Sequence, residues 1–210
     1  MNISQDIFRA YDIRGVYGDE LDASIGERVG LAFGNFLRKT NSEGKVSIGC
    51  DARVSSPELQ EAVATGISKA GFDVDVIGML PIPVANYFTW KASSGPNPYL
   101  GGVYITASHN PAEYNGIRFR HPDGTGYTEG NIEIKRIFFE EELIKSSSVG
   151  TITKISTESV LDDYVDFVST KVGSIKGTKI ALDPGNGVGC VIVEKLFQKL
   201  GAETHSINNE

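Results

Sequence analysis

Long apolar runs are missing from this sequence: none of its 210 residues belongs to a stretch of about 18 consecutive apolar residues, so no segment reads as membrane-spanning. The first fifteen residues carry Asp6, Arg9, Asp12 and Arg14 where a secretory signal would need an apolar core. Cysteine is scarce. Cys50 and Cys190 stand far apart, each in or beside an apolar run, and are expected to be two buried, reduced thiols rather than a disulfide or a metal pair. A basic stripe is also absent. The net charge is -7 and the pI is near 5.1, which argues against a nucleic-acid or acidic-membrane partner but leaves room for a small anion met by a few arginines. Together these absences point to a cytoplasmic protein.

What is present reads as a folded chain with many tight turns. At 40% apolar and 22% charged, with 24 glycines, the composition supports a buried core and excludes a disordered or fibrous chain. The length fits one large domain, or one domain and part of another, at ~100–200 residues per domain. One stretch organises the rest. From Val103 to Phe119 an apolar strand breaks into a polar turn, Ser108-His-Asn-Pro111, and then returns to strand character. Ser108 falls where a rigid strand ends, and Pro111 restricts the backbone behind it, an arrangement suited to an exposed nucleophile. The same letters also suit an ordinary surface turn. On this stretch alone the two readings stand level.

The flanking chain alternates strand and helix. Phe8 to Gly15 interleaves aromatic, basic and acidic residues as an ordered loop or short strand; Arg14 there is either a solvated charge or a bidentate anion donor with Tyr11 beside it. Ser24 and Glu27 have capping-box spacing ahead of a helical face formed by Ile25, Val29, Ala32, Phe33, Phe36 and Leu37. A strand at 46–49 delivers Asp51 and Arg53 to its carboxyl end, the place where open α/β sheets put their ligands. A second helix begins at Ser55-Ser-Pro-Glu58 and stops at Gly71. Next are expected a strand at 74–77, a short helix from Pro81 through Trp90, a loop at 93–102, a strand at 117–121 closed by a turn at Pro122-Asp-Gly124, and an acidic helix at 129–143. The Glu140 to Glu142 run reads as a solvated face. Residues 145–157, rich in Ser, Thr and Gly, mark a domain boundary. Beyond it a helix, a strand at 179–183, the glycine-rich turn Pro184-Gly-Asn-Gly187, a helix at 190–200 and a strand from Glu203 form a β–α–β unit. That turn lacks the Lys-Ser/Thr of a P-loop and the dinucleotide glycine spacing, so it reads as structural.

Tyr11-Asp-Ile-Arg-Gly15, Gly49-Cys-Asp-Ala-Arg-Val-Ser55, Thr106-Ala-Ser-His-Asn-Pro-Ala-Glu-Tyr-Asn-Gly116 and Ala181-Leu-Asp-Pro-Gly-Asn-Gly187 occur in the order and spacing of one family. In these motifs the chain resembles the α-D-phosphohexomutases, the phosphoglucomutase and phosphomannomutase superfamily. The resemblance implies an α/β protein: a three-layer α/β/α first domain with a mixed sheet at 1–150, then an incomplete second α/β domain of the same type at 151–210. It implies that Ser108 is a phosphoserine that gives its phosphoryl group to a hexose phosphate, glucose or mannose, and takes one back from the hexose 1,6-bisphosphate intermediate. Arg14 would meet the added charge of about -1.5 to -2 and bind substrate with Tyr11, Asn110 and Arg118, and His109, beside the nucleophile, would either carry the proton or orient the loop. A Mg²⁺ ion would be ligated by Ser108, and the Asp-Gly-Asp-Gly-Asp-Arg loop that supplies its other ligands in the family does not occur here. On that pattern the chain alone is expected not to turn over.

One departure stands out. Arg118 replaces a lysine that the family uses as a candidate acid/base, and an arginine of pKa above ~12 orients charge but does not readily exchange a proton. A non-catalytic sugar-phosphate-binding or regulatory relative is therefore the competing expectation. A kinase or phosphatase reading finds no nucleotide motif or water-positioning site to support it.

Overall fold

The computed structural model describes residues 3–40, 43–94 and 96–210. Six strands form one mixed sheet: β1 (Ile13–Val16), β2 (Lys45–Cys50), β3 (Asp73–Met79), β4 (Tyr99–Ile105), β5 (Tyr114–Arg120) and β6 (Ile152–Lys154), in the order β1-β5-β4-β2-β3-β6. The contacts β4–β2, β2–β3 and β3–β6 are parallel, whereas β5 runs antiparallel to both β1 and β4. β4 is buried at every residue, and its side chains alternate between the two faces. Val103 and Ile105 pack with helices α1 (Ala23–Thr40), α2 (Ser56–Lys69) and α4 (Glu129–Glu140), while Tyr104 packs with α3 (Ile82–Lys91) and α5 (Thr157–Val172). Two apolar clusters on opposite faces of one sheet make the three layers.

The second unit starts with β7 (Lys179–Leu182), continues through a short 3-10 helix at Val188–Val191 and helix α6 (Val193–Lys199), and returns as β8 (Glu203–Ser206), which pairs with β7 in parallel. The chain is thus an α/β/α first domain with a mixed sheet, followed by part of a second α/β domain. Among the described residues no helix is long and apolar enough to cross a membrane.

Several local expectations change in the fold. The cap of α1 is Asp22 rather than Ser24: its Oδ1 accepts from the Ile25 N–H at 2.8 Å and from the Ser24 hydroxyl at 2.7 Å. Because α1 starts at Ala23, Ser24 already lies inside the first turn and is displaced from the capping position. The loop expected at 93–102 ends earlier, since β4 begins at Tyr99 and includes Gly101 and Gly102. Glycine there marks backbone crowding rather than a turn; a Cβ on Gly101 would lie 2.7 Å from the Arg120 carbonyl oxygen. The same economy brings α1 onto α2, where a Cβ on Gly66 would meet the Glu27 carbonyl oxygen at 2.0 Å. α4 stops at Glu140, three residues short of the expected end. The stretch 145–157 is not all linker, because β6 within it extends the sheet beside β3. Cys50 is buried as expected, but Cys190 is only partly so, because the helix expected at 190–200 is split and this cysteine lies on the short turn before α6; both thiols are free.

Candidate active site

The turn after β4 carries the exposed hydroxyl. Ser108 has φ 58°, in the left-handed region where a residue with a side chain costs about 1–3 kcal/mol, so its surroundings must hold it there. Its N–H donates to Thr106 Oγ1 at 2.9 Å, and Asn110 N–H closes the turn on the Ala107 carbonyl at 3.1 Å. His109 is exposed, with Nδ1 at 3.3 Å from Ser108 Oγ.

Behind the turn lies a cluster built on a buried carboxylate. Asp12, 5% exposed, precedes β1, and its Oδ2 meets both Nε and Nη2 of Arg14 at 2.8 Å. Arg14 reaches the turn with its remaining nitrogen: Nη1 lies 3.4 Å from the Ala107 carbonyl oxygen and 3.3 Å from Asn110 Oδ1. Space for this comes from the register, which sets Arg14 opposite Gly116; a Cβ there would lie 3.1 Å from Arg14 Cγ. Arg118 shares the same carboxylate, Nε to Asp12 Oδ2 at 3.7 Å, and that Nε is buried without a hydrogen-bond partner. Arg120, two residues along β5, has its guanidinium pKa lowered by burial first and then by Arg118. Two arginines on one aspartate leave positive charge in excess beside the serine turn.

The turn opens onto a cleft of about 800 Å³. Ser108, His109, Asn110 and Arg118 line it, together with Asp51 and Arg53 from the end of β2, and Gly185 to Val188 from the second unit. The glycine-rich turn, read from the sequence as structural, therefore reaches the same cleft as Ser108. Tyr11 is 62% exposed, and neither it nor Arg14 lines the cleft. Cys50 sits directly before Asp51, yet burial and then the Asp51 charge push its thiol up to about 12, so it is no nucleophile. Among the described residues no group of three His, Cys, Asp or Glu side chains could hold a metal ion. Among the described residues, then, the expected Mg²⁺ has the Ser108 oxygen but no cluster of further ligands beside it, and one oxygen is no cation site.

Two residues matter more than their sequence context suggested. Asp51, 9% exposed, accepts from Ser56 Oγ at 2.6 Å, Thr106 Oγ1 at 2.6 Å, and both the backbone N–H and Nε of Arg53 at 3.1 and 3.2 Å. Arg53 in turn reaches four carbonyls of the Ser108 turn. The sequence signals were their place at a strand's carboxyl end and in the Gly49 to Ser55 motif; their partners around the Ser108 turn are 55–61 residues away.

An exposed serine in a strained turn thus stands beside an arginine–aspartate cluster at the carboxyl end of a strand in an α/β/α sheet. Residues 5–145 match the family described as phosphoglucomutase/phosphomannomutase, alpha/beta/alpha domain I, and the chain belongs to that family. Among curated relatives, phosphoglucosamine mutases from Clostridium botulinum (strain Loch Maree, type A3) and Clostridium acetobutylicum are 34% and 35% identical, each aligned over 97% of this chain and 45% of their own length. A solved phosphoglucomutase/phosphomannomutase family protein from Burkholderia thailandensis superposes with a TM-score of 0.85 at 34% identity, covering 99% of this chain and 45% of that one. The chain thus spans about half the length of the relatives it matches, 45%.

Proposed function

We propose that this chain is the serine-bearing part of a phosphohexomutase, with Ser108 as the phosphoryl carrier. The supporting observation is the exposed Ser108 hydroxyl at φ 58° beside the Arg14–Asp12–Arg118 cluster. In the first half-reaction the bond from Ser108 Oγ to phosphorus breaks as a hydroxyl oxygen of the hexose phosphate bonds to that phosphorus. The hydroxyl proton leaves to a base; in the second half-reaction Ser108 Oγ bonds to the phosphorus at the other end of the bisphosphate, the sugar oxygen–phosphorus bond there breaks, and the base returns the proton to the released sugar oxygen. Such transfers rest on positioning and charge stabilisation. Arg14, from behind the turn, and Arg118 supply the charge, and Asn110, held by Arg14, lines the cleft with Arg118 as the polar surface offered to substrate, while Tyr11, expected to bind substrate, lies outside the cleft lining. Arg118 is not a proton carrier. His109, with Nδ1 3.3 Å from Ser108 Oγ, is the imidazole on the turn placed to take or return that proton.

Mg²⁺ belongs to this reading with Ser108 as one ligand, although among the described residues no three His, Cys, Asp or Glu side chains complete a site for it. The domain division at 150/151 is part of the same reading. The substrates are hexose phosphates; because relatives are named phosphoglucosamine mutase, glucosamine phosphate is assayed beside the glucose and mannose phosphates. The test is intact-mass and peptide mapping of full-length protein from cells, then a mutase assay with Mg²⁺, hexose 1,6-bisphosphate and each of the three sugars. Phosphate on Ser108 and turnover are expected. An unmodified Ser108 with no turnover on any sugar sinks the proposal, and retained hexose phosphate binding in that case supports the non-catalytic, regulatory alternative that Arg118 suggests.

A further inference from the structure

The geometry points to Arg53 as the positioning residue of the Ser108 turn, an inference that rests on the reading of Ser108 as phosphoryl carrier. A guanidinium has five N–H donors. All five of Arg53 have acceptors: Nε meets Asp51 Oδ2 at 3.2 Å, Nη1 the carbonyls of Pro111 and Tyr114 at 2.6 and 2.9 Å, and Nη2 those of Ser108 and Asn110 at 3.0 and 2.7 Å. No donor remains for a phosphate, although Arg53 lines the cleft. Its charge instead gathers four carbonyl oxygens of the turn, whose partial negative charges would otherwise be free to oppose a phosphoserine of about -1.5 to -2.

Asp51 ties both sides of Ser108 together. It holds Arg53, which takes the Ser108 carbonyl, and it accepts from Thr106 Oγ1, which takes the Ser108 N–H at 2.9 Å. The peptide groups before and after Ser108 are thus anchored to one buried carboxylate, which pins φ at 58° in the absence of any help from glycine. Lysine cannot reproduce this, because a single ammonium with three donors does not span four carbonyls and a carboxylate. Arg14 differs: it binds one carboxylate and touches the turn loosely, at 3.3–3.4 Å. The turn therefore has one arginine for shape and another for charge.

The test uses the full-length protein with α-glucose 1,6-bisphosphate as phosphorylating probe. Arg53→Lys should slow phosphorylation of Ser108 by about 100-fold, the scale of a misplacement near 1 Å, with KM for the probe changed by less than about threefold. Methylguanidinium should restore part of the rate to Arg53→Ala. Amide hydrogen exchange across residues 108–114 should accelerate in both variants, a readout that needs no activity. Thr106→Val, which keeps shape but loses the hydroxyl, should also slow phosphorylation, and it decides the matter where the Arg53 variants fail to fold. A wild-type rate in Arg53→Lys or Thr106→Val, a raised KM at unchanged kcat, or unchanged exchange across the turn overturns the inference. A wild-type protein that takes no phosphate overturns the reading of Ser108 instead, and exchange across the turn still judges Arg53.

Discussion

Two turns meet at the cleft, and each places a residue other than glycine in the left-handed region: Ser108 at φ 58° and Asn186 at φ 51°. They are held in different ways. Asn186 tolerates this conformation well, and its turn is closed by nearby exposed groups: Gly185 N–H and Asn208 Nδ2 both donate to Asp183 Oδ1, at 3.1 and 3.0 Å, and Asn186 N–H donates to the Asn208 carbonyl at 2.6 Å. Serine has no such tolerance. Its turn needs a buried aspartate and a saturated arginine brought from the far end of β2. The difference teaches which turn the fold is organised to constrain: a bracing network of that extent accompanies the hydroxyl and not the amide.

The contrast can be broken most severely at Ser108. Ser108→Ala in the full-length protein should abolish turnover and leave the circular dichroism spectrum unchanged; retained turnover with an intact spectrum refutes the carrier role. Arg118→Lys should keep or raise mutase turnover, because lysine offers an exchangeable proton, and a drop of more than about tenfold would show that the guanidinium fork itself is required. Stability gives a finer comparison. Ser108→Gly should unfold in denaturant about 1 kcal/mol less readily than Ser108→Ala, since glycine enters the left-handed region without steric cost. Asn186→Gly should move stability by only a few tenths of a kcal/mol, because asparagine is already at ease there. A shift as large as that at Ser108 would erase the distinction between the two turns.

A reference away from both turns is Asp22, where a cap is purely local. Asp22→Ala should cost about 1 kcal/mol. The Ile25 N–H, ahead of the Ser24 hydroxyl, holds the Asp22 carboxyl below its ordinary range. Its folded pKa is therefore lower than its unfolded one, so the stabilisation is fully present above about pH 4 and is lost as pH falls through the lower folded value. Denaturant midpoints of wild type and Asp22→Ala should converge as the medium is acidified below about pH 4.

Legibility followed range. The serine turn could be read because its hydroxyl, imidazole, amide and proline are neighbours in the chain, and α1 and α2 because their apolar positions repeat locally. Gly101 and Gly102 misled for the opposite reason: glycine signals a turn unless one knows that the Arg120 carbonyl crowds the strand. Asp22 and Ser24 are both good caps, and only the helix start chooses between them. Arg53 was visible after a strand and within the Gly49 to Ser55 motif, but its saturation by carbonyls 55–61 residues away leaves no mark on its own neighbourhood.

The sequence by itself determined the alternation of strands and helices, the two families of apolar faces, the family and the identity of the exposed serine, since each depends on residue types at short, regular spacing. Tertiary structure alone decided the strand order that sets Arg14 against Gly116, the sharing of Asp12 by two arginines, the bracing of Ser108 through Asp51, and the arrival of the Asn186 turn at the same cleft. Those features arise from contacts between segments distant in the chain, and strand register and helix packing, rather than local preference, determine which of them form.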